Sequence, residues 1–279
     1  MQLVDYKVDV KGVNDGVSVW GIGDIHVGSR ACDEKLLHSI VSRVKKNKKA
    51  RVVLMGDLIE AINPTDKRFD ATNLPDWVEF KDLDNLAIIQ CNRVVDMLLP
   101  IADKIICSVA GNHEATAHRR YHFDPHDYIL TRLRDKAKVM IHNGGYGQCI
   151  LRLKTKRGSH TTTTMFSLFH GSGGGVTLGG TINKQVKTLD YIECDVKMSG
   201  HTHQLTEALV PRCYVPSSGK LDLISKPKVI VQTGSYLKTY GDDFTTYSEM
   251  REYAPVPLGS PEVIITGDVP KMQVILHTG

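Results

Sequence analysis

Four short runs in this chain combine a glycine with side chains that can bind a metal ion or move a proton. They are Gly23-Asp24-Ile25-His26, Gly56-Asp57, Gly111-Asn112-His113-Glu114 and Gly200-His201-Thr202-His203. Glycine lets the backbone turn sharply and lets the next side chain approach a small ligand. Asp24 and His26 are two residues apart, as are His201 and His203. On an extended strand end, side chains at that spacing point the same way, so each pair can face one ion. Carboxylates and imidazoles without a thiolate suit Mn²⁺, Fe or Zn²⁺ better than Mg²⁺ alone. Histidine is also the side chain whose charge changes near neutral pH. Each run alone is a common turn or a surface coincidence. The information lies in their number and their order.

The elements that must hold these runs can be read from hydrophobic patterning. Alternation over 1–10 and the apolar run 17–23 predict two strands. A helix is expected at 33–47, with Asp33 as its N-cap and lysines in its last turn. Residues 51–55 and 104–110 read as buried strands, each running into one of the glycine motifs. A polar loop spans 62–76, and apolar positions at helical spacing occupy 77–99. Pro125 begins a helix to about 137, and 139–141 reads as a short strand. The second half is richer in strands: 148–154, 161–169, 195–198, 205–210, 228–233, 262–266 and 272–277, with one helix at 181–192. Residues 234–261 read as a long loop lining a substrate site. Strand and helix alternation followed by strands predicts two packed sheets with helices outside and one shared core.

The composition bounds the rest. The chain has 279 residues, 41% hydrophobic and 24% charged, with a net charge of +4, which is ordinary for a globular protein. No apolar run reaches the roughly 18 residues of a membrane helix. The sequence starts without an apolar signal core, so a cytoplasmic protein with no membrane association is expected. The six cysteines lack CxxC spacing and several sit in apolar runs, which fits free thiols in a reducing compartment. Lys45, Lys46, Lys48, Lys49 and Arg51 form one basic run, and Lys154, Lys156 and Arg157 another. Such runs are usually solvated helix ends or loops. His118, His122 and His126 are spaced by four, but Pro125 interrupts them, so they are expected in a loop near His113.

Taken together, the motifs resemble those of the calcineurin-like metallophosphoesterase superfamily: Asp-x-His, Gly-Asp, Gly-Asn-His-Asp/Glu, a histidine after a strand, and Gly-His-x-His. The run from Asp24 to His203 follows that order. The resemblance implies an α/β (α+β) chain forming a four-layer αββα sandwich of metallophosphoesterase type, read as one domain over 1–279. It implies two divalent ions, manganese first, with iron, zinc or magnesium as alternatives. Asp24, His26 and His203 would hold one ion, and Asn112, His170 and His201 the other, with Asp57 bridging. His142 also follows a strand, but the family's order favours His170. His113 would stabilise the transition state and protonate the leaving oxygen. Glu114 would support the helix N-terminus or orient a neighbour rather than bind metal.

Departures narrow the branch. Purple acid phosphatases carry Asp-x-Gly first and a tyrosine after the second motif, where this chain has His26 and Glu60. Ser/Thr protein phosphatases follow the second motif with Asp-Arg-Gly, and Gly56-Asp57-Leu58-Ile59-Glu60-Ala61 lacks it. Asp24-Ile25-His26-Val27-Gly28-Ser29 is similar over about six residues to the first motif of Mre11/SbcD-type nucleases and of the archaeal DNA polymerase small subunit. With the basic runs, this favours a phosphodiesterase acting on DNA, RNA or nucleotides. A phosphomonoesterase or a non-catalytic scaffold subunit of the same fold is the alternative. Ser172-Gly173-Gly174-Gly175 lacks the Gly-Lys-Ser/Thr of a P-loop and is expected to form a flexible rim.

Overall fold

A computed structural model describes every residue except 13, 14, 63, 67, 174–176, 218, 220, 242 and 268–270. Gly174 and Gly175 of the glycine-rich stretch therefore lie outside the described residues. The strands are β1 (Gln2–Asp9), β2 (Gly16–Ile22), β3 (Ala50–Leu54), β4 (Ile105–Ser108), β5 (His142–Asn143), β6 (Cys149–Arg157), β7 (His160–Phe169), β8 (Val196–Ser199), β9 (Leu205–Val210), β10 (Cys213–Tyr214), β11 (Ile224–Ser225), β12 (Lys228–Thr233), β13 (Gly259–Thr266) and β14 (Lys271–Thr278). The helices are α1 (Glu34–Lys46), α2 (Leu86–Leu98), α3 (Asn112–Tyr121), α4 (Pro125–Ala137), α5 (Leu178–Lys187) and α6 (Tyr247–Met250).

Two six-stranded sheets carry the fold, in the orders β14-β13-β2-β3-β4-β5 and β1-β6-β7-β8-β12-β9. In the first, β2 through β5 are mutually parallel. In the second, β7, β8 and β12 are parallel. Strand alternation assigns each face. Val17 and Val19 of β2 and Val53 of β3 pack against Phe166 of β7, Val196 of β8 and Val231 of β12 between the sheets. Trp20, Ile22, Val52 and Leu54 point the other way, onto α1, α2 and α4. On the outer face of the second sheet, Ile230 packs with Leu189 and Cys194, against which Val186 of α5 also lies. The layers are thus helix, sheet, sheet, helix, as expected. Among the described residues no helix is long and apolar enough to cross a membrane.

Several expectations need correction. The helix expected over 77–99 begins only at Leu86. Residues Phe80–Asn85 form a tighter 3₁₀ turn, locked by the Glu79 N–H donating to the Asp82 carboxylate at 3.0 Å. The helix expected at 181–192 starts earlier, at Leu178, because the Thr177 hydroxyl caps it. The strand expected at 139–141 lies one step later, where His142 and Asn143 pair with β4. His118 and His126 are not loop residues: they belong to α3 and α4, separated by His122 in a left-handed cap. His126 is a core residue, 1% exposed, with Nε2 2.9 Å from the Ser108 hydroxyl. Burial pushes its pKa down to about 4.

Candidate metal centre

The motif residues follow strand C-termini on one rim of the sandwich. Asp24 and His26 follow β2, Asp57 follows β3, and Asn112 and His113 open α3 beyond β4. His170 follows β7 directly, and His201 and His203 follow β8. Strand C-termini of parallel sheets open into the crevice where ligands bind, and here two sheets supply one crevice. Its loops are tied together by backbone bonds: Asp24 N–H to Gly56 O at 2.8 Å, His26 N–H to Asp57 O at 3.0 Å, and Gly200 N–H to His170 O at 2.8 Å.

The backbone there is not extended. Asp24, His26, Asp57, His201 and His203 have φ of 47°, 56°, 49°, 71° and 58°. The two-residue spacing therefore co-orients each pair through left-handed turns, not through an extended strand end as expected. Such conformations cost a non-glycine residue about 1–3 kcal/mol each and cluster at functional sites. Gly111 is required by close approach: a Cβ there would lie 2.1 Å from Asp57 Oδ1 and 2.3 Å from Asp57 N.

The candidate ligand atoms expected from the sequence lie close together in two sets, and His26, Glu60 and His113 come together as a further set. In one, His26 Nε2 lies 3.2 Å from His203 Nε2, which lies 3.4 Å from Asp24 Oδ1. In the other, Asn112 Oδ1 lies 3.0 Å from His170 Nε2 and 2.7 Å from His201 Nδ1. Asp57 Oδ2 is 3.2 Å from His170 Nε2. The tautomers decide what these contacts mean. His26 Nδ1 lies 2.8 Å from the Glu60 carboxylate, and His170 Nδ1 lies 2.7 Å from the Met55 carbonyl. Each neutral ring donates its proton there and turns its Nε2 lone pair to other lone pairs. These two lone pairs, the Asp24 and Asp57 carboxylates, the Asn112 oxygen and the rings of His201 and His203 face one another at one rim, a donor set that suits a cation. Ligand atoms about 3.0–3.4 Å apart are also the edges of a coordination shell with bonds of about 2.1 Å. The donor set and its spacing fit divalent metal ions.

Without a metal, a proton takes the cation's place. Burial disfavours charge on both rings, yet Glu60, Asp57 and Asp24 hold His26 protonated up to about 9. Asp57 and Asp24, with the Met55 carbonyl, likewise hold His170 up to about 10. The Asp57 carboxyl sits well below the usual range despite burial, because His113, His170 and His26 surround it. His201 is lowered by burial and by His170.

His113 stands at the edge of this site. Its backbone N–H donates to Asp57 Oδ1 at 2.9 Å, and its Nδ1 lies 2.5 Å from the Glu60 carbonyl. Its ring meets that of His26 edge-on, 4.7 Å between centroids. Glu114 is fully buried and accepts from the N–H groups of Asp57, Leu58 and Gly111 at 3.0, 2.6 and 2.9 Å, which fixes the β3 loop to the start of α3. His142 lies on β5 and joins none of the candidate metal groups; His170 does.

Glu60 is the residue that sequence reading missed. It was visible only as an acid three positions after Asp57. Its carboxylate orients His26 and its carbonyl faces His113. A cleft of about 630 Å³ opens from this centre, lined among others by Ile62, Arg68 and Leu74 and by Leu237, Tyr247 and Val256. The segment 234–261, expected to be one long loop, carries α6 and the first residues of β13, and several of its residues line this cleft.

No protein-family model matches the chain, and no curated protein matches it. Solved structures similar to it include a protein from Streptococcus pneumoniae described as a predicted phosphoesterase, with 13% identity and a TM-score of 0.32 over 94% of this chain and 98% of that one. Vps29 from Entamoeba histolytica, complexed with zinc, has 14% identity and a TM-score of 0.37, over 93% of this chain and 99% of that one. A metallophosphoesterase from Sphaerobacter thermophilus has 12% identity and a TM-score of 0.38, over 94% and 88%.

Proposed function

We propose that this chain is a metallophosphoesterase of the calcineurin-like kind, one domain over 1–279, that hydrolyses phosphodiesters of nucleic acid or nucleotides in the cytoplasm. The observation that carries this is the convergence of imidazole, carboxylate and amide ligand atoms at one rim, with spacings of 2.7–3.4 Å. Asp24, His26 and His203 would hold one divalent ion, and Asn112, His170 and His201 the second, with Asp57 between them. Two such ions, manganese first among iron, zinc and magnesium, would supply activation of water and neutralisation of phosphoryl charge.

The chain's own groups do the rest. Glu60 and the Met55 carbonyl fix the tautomers of His26 and His170, as partners of ligating histidines do. Asn112 contributes a neutral oxygen, which limits the negative charge that the substrate's phosphate meets. His113 donates Nδ1–H to the Glu60 carbonyl, so Nε2 is the atom that carries a proton to the departing oxygen.

The test is hydrolysis of bis-p-nitrophenyl phosphate and p-nitrophenyl phosphate with Mn²⁺, followed by single- and double-stranded DNA and RNA. Faster turnover of the diester is expected. Preference for the monoester would replace this reading with a phosphomonoesterase. No hydrolysis of either, with both ions bound, would overturn it in favour of a scaffold.

A further inference from the structure

The cleft continues well past the candidate metal ligands. Its volume, about 630 Å³, falls in the range of sites that enclose a whole small molecule. Beyond the ligands its lining mixes polar groups, among them Arg68, Asp70 and Lys238, with the apolar and aromatic side chains of Phe69, Leu74, Tyr247, Met250, Tyr253 and Val256. Tyr247 and Tyr253 remain 54% and 42% exposed. Both are held in place. The Arg251 guanidinium lies 5.3 Å over the Tyr247 ring centroid. The Tyr253 N–H donates to Ser248 O at 3.0 Å, and the Tyr240 hydroxyl donates to Tyr253 O at 3.1 Å. At the mouth, Arg68 is oriented by two bonds to Asp66, at 3.1 and 3.0 Å.

The candidate metal centre therefore shares one cleft with aromatic rings that suit a large, flat, weakly polar group. A substrate whose remaining part is small, or only charged, would leave these rings in water. A base inside a duplex keeps its faces stacked on its neighbours and offers only its edges. An unpaired base presents a free face, and aromatic side chains take such a face without regard to sequence. We infer that the cleft takes a nucleoside phosphate with its base unpaired, the phosphate at the metal centre and the base against the Tyr247–Tyr253 wall. This deepens the proposed function and rests on it.

The experiment compares the 5′-methylene phosphonate analogues of AMP and of ribose 5-phosphate, which carry no scissile ester and differ only in the base. Binding to the manganese-loaded full chain is measured by calorimetry. The nucleotide analogue should bind about 5- to 150-fold tighter, the range of one stacked base. Tyr247→Ala and Tyr253→Ala should each shrink that ratio, and the phenylalanine variants should keep it, since the ring and not the hydroxyl is required. Equal affinities in the native chain, or a ratio unmoved in both alanine variants, would overturn the inference. Bis-p-nitrophenyl phosphate turnover, measured in parallel, separates the two claims. Hydrolysis without base preference sinks the base site alone, and base preference without hydrolysis sinks the esterase reading alone. Displacement of the analogue by a short single strand marks a strand end as the source of the base. No displacement marks a free nucleotide, and either result keeps the base on the wall.

Discussion

The two rims of the sandwich carry opposite chemistry. At the C-terminal rim of β2, β3, β4, β7 and β8, the candidate metal-ligating side chains converge and the cleft opens. At the other rim lie both basic runs. Lys45 and Lys46 end α1 just before β3 begins at Ala50. Lys154, Lys156 and Arg157 end β6, which runs antiparallel to β7, so Arg157 faces His160 at the far end from His170. A five-residue strand such as β3 separates the rims by roughly 15 Å at about 3.3 Å per residue. The lysines that looked like a nucleic-acid footprint in sequence sit where they cannot touch a phosphate at the metal centre. Charge in a sequence is cheap to place on any solvated edge. Converging lone pairs are costly and need a strained backbone to hold them.

The largest effects should come from breaking the C-terminal rim. Asp57→Asn should lower metal occupancy and reduce hydrolysis to background. Full occupancy by elemental analysis would count against a bridging carboxylate. His113→Ala should keep near-native metal content but cut turnover by about 10²–10⁴, the worth of a placed general acid. Normal turnover in that variant would remove the role given to it.

How much of this was legible depends on how far each residue acts from its own motif. Asp24, Asp57, Asn112 and His201 each follow a glycine, close behind an apolar strand, and both signals are local. The layer order was legible too, because Val17/Val19 and Trp20/Ile22 alternate between two buried faces. The left-handed backbone at five site residues was not, since it is imposed by loops of β2, β3 and β8 bonding to one another. Glu60 was illegible for a related reason: its meaning comes from His26, 34 positions away. The spacing of His118, His122 and His126 read as a loop because Pro125 interrupts it. Pro125 in fact starts α4, a position where the missing N–H costs nothing.

His126 offers a smaller break, in stability. Its folded pKa of about 4 lies below the unfolded value of 6.5, so unfolding takes up a proton between those values. Its contribution is intact above about pH 6.5 and falls by about 3 kcal/mol as pH drops to 4. His126→Gln should flatten that part of the stability profile in urea titrations between pH 7 and 4. An unchanged slope would mean that His126 is solvated or charged in the native state. Smaller again is Glu60→Gln. It keeps the shape but removes the charge facing His26 Nδ1, and should weaken metal binding about 10- to 100-fold. Unchanged affinity in a metal titration would leave Glu60 with a packing role only.

The smallest expected effect tests the contrast between rims most directly. Lys45→Glu, Lys46→Glu and Lys48→Glu combined should change KM for a single-stranded substrate by less than about twofold at physiological salt. The reason is that the Debye length there, about 8 Å, is shorter than the strand separating the rims. Arg68→Ala, at the mouth of the cleft, should raise the same KM by about 5- to 10-fold, since hydrogen bonds to a charged group contribute about 1.5–3 kcal/mol and part of that is shared with water. If the lysine variant raised KM as much as the arginine variant, substrate would have to run along the outside of the sandwich to both rims. A long strand bound in that way would make the distal basic runs part of the binding surface rather than a solvated edge.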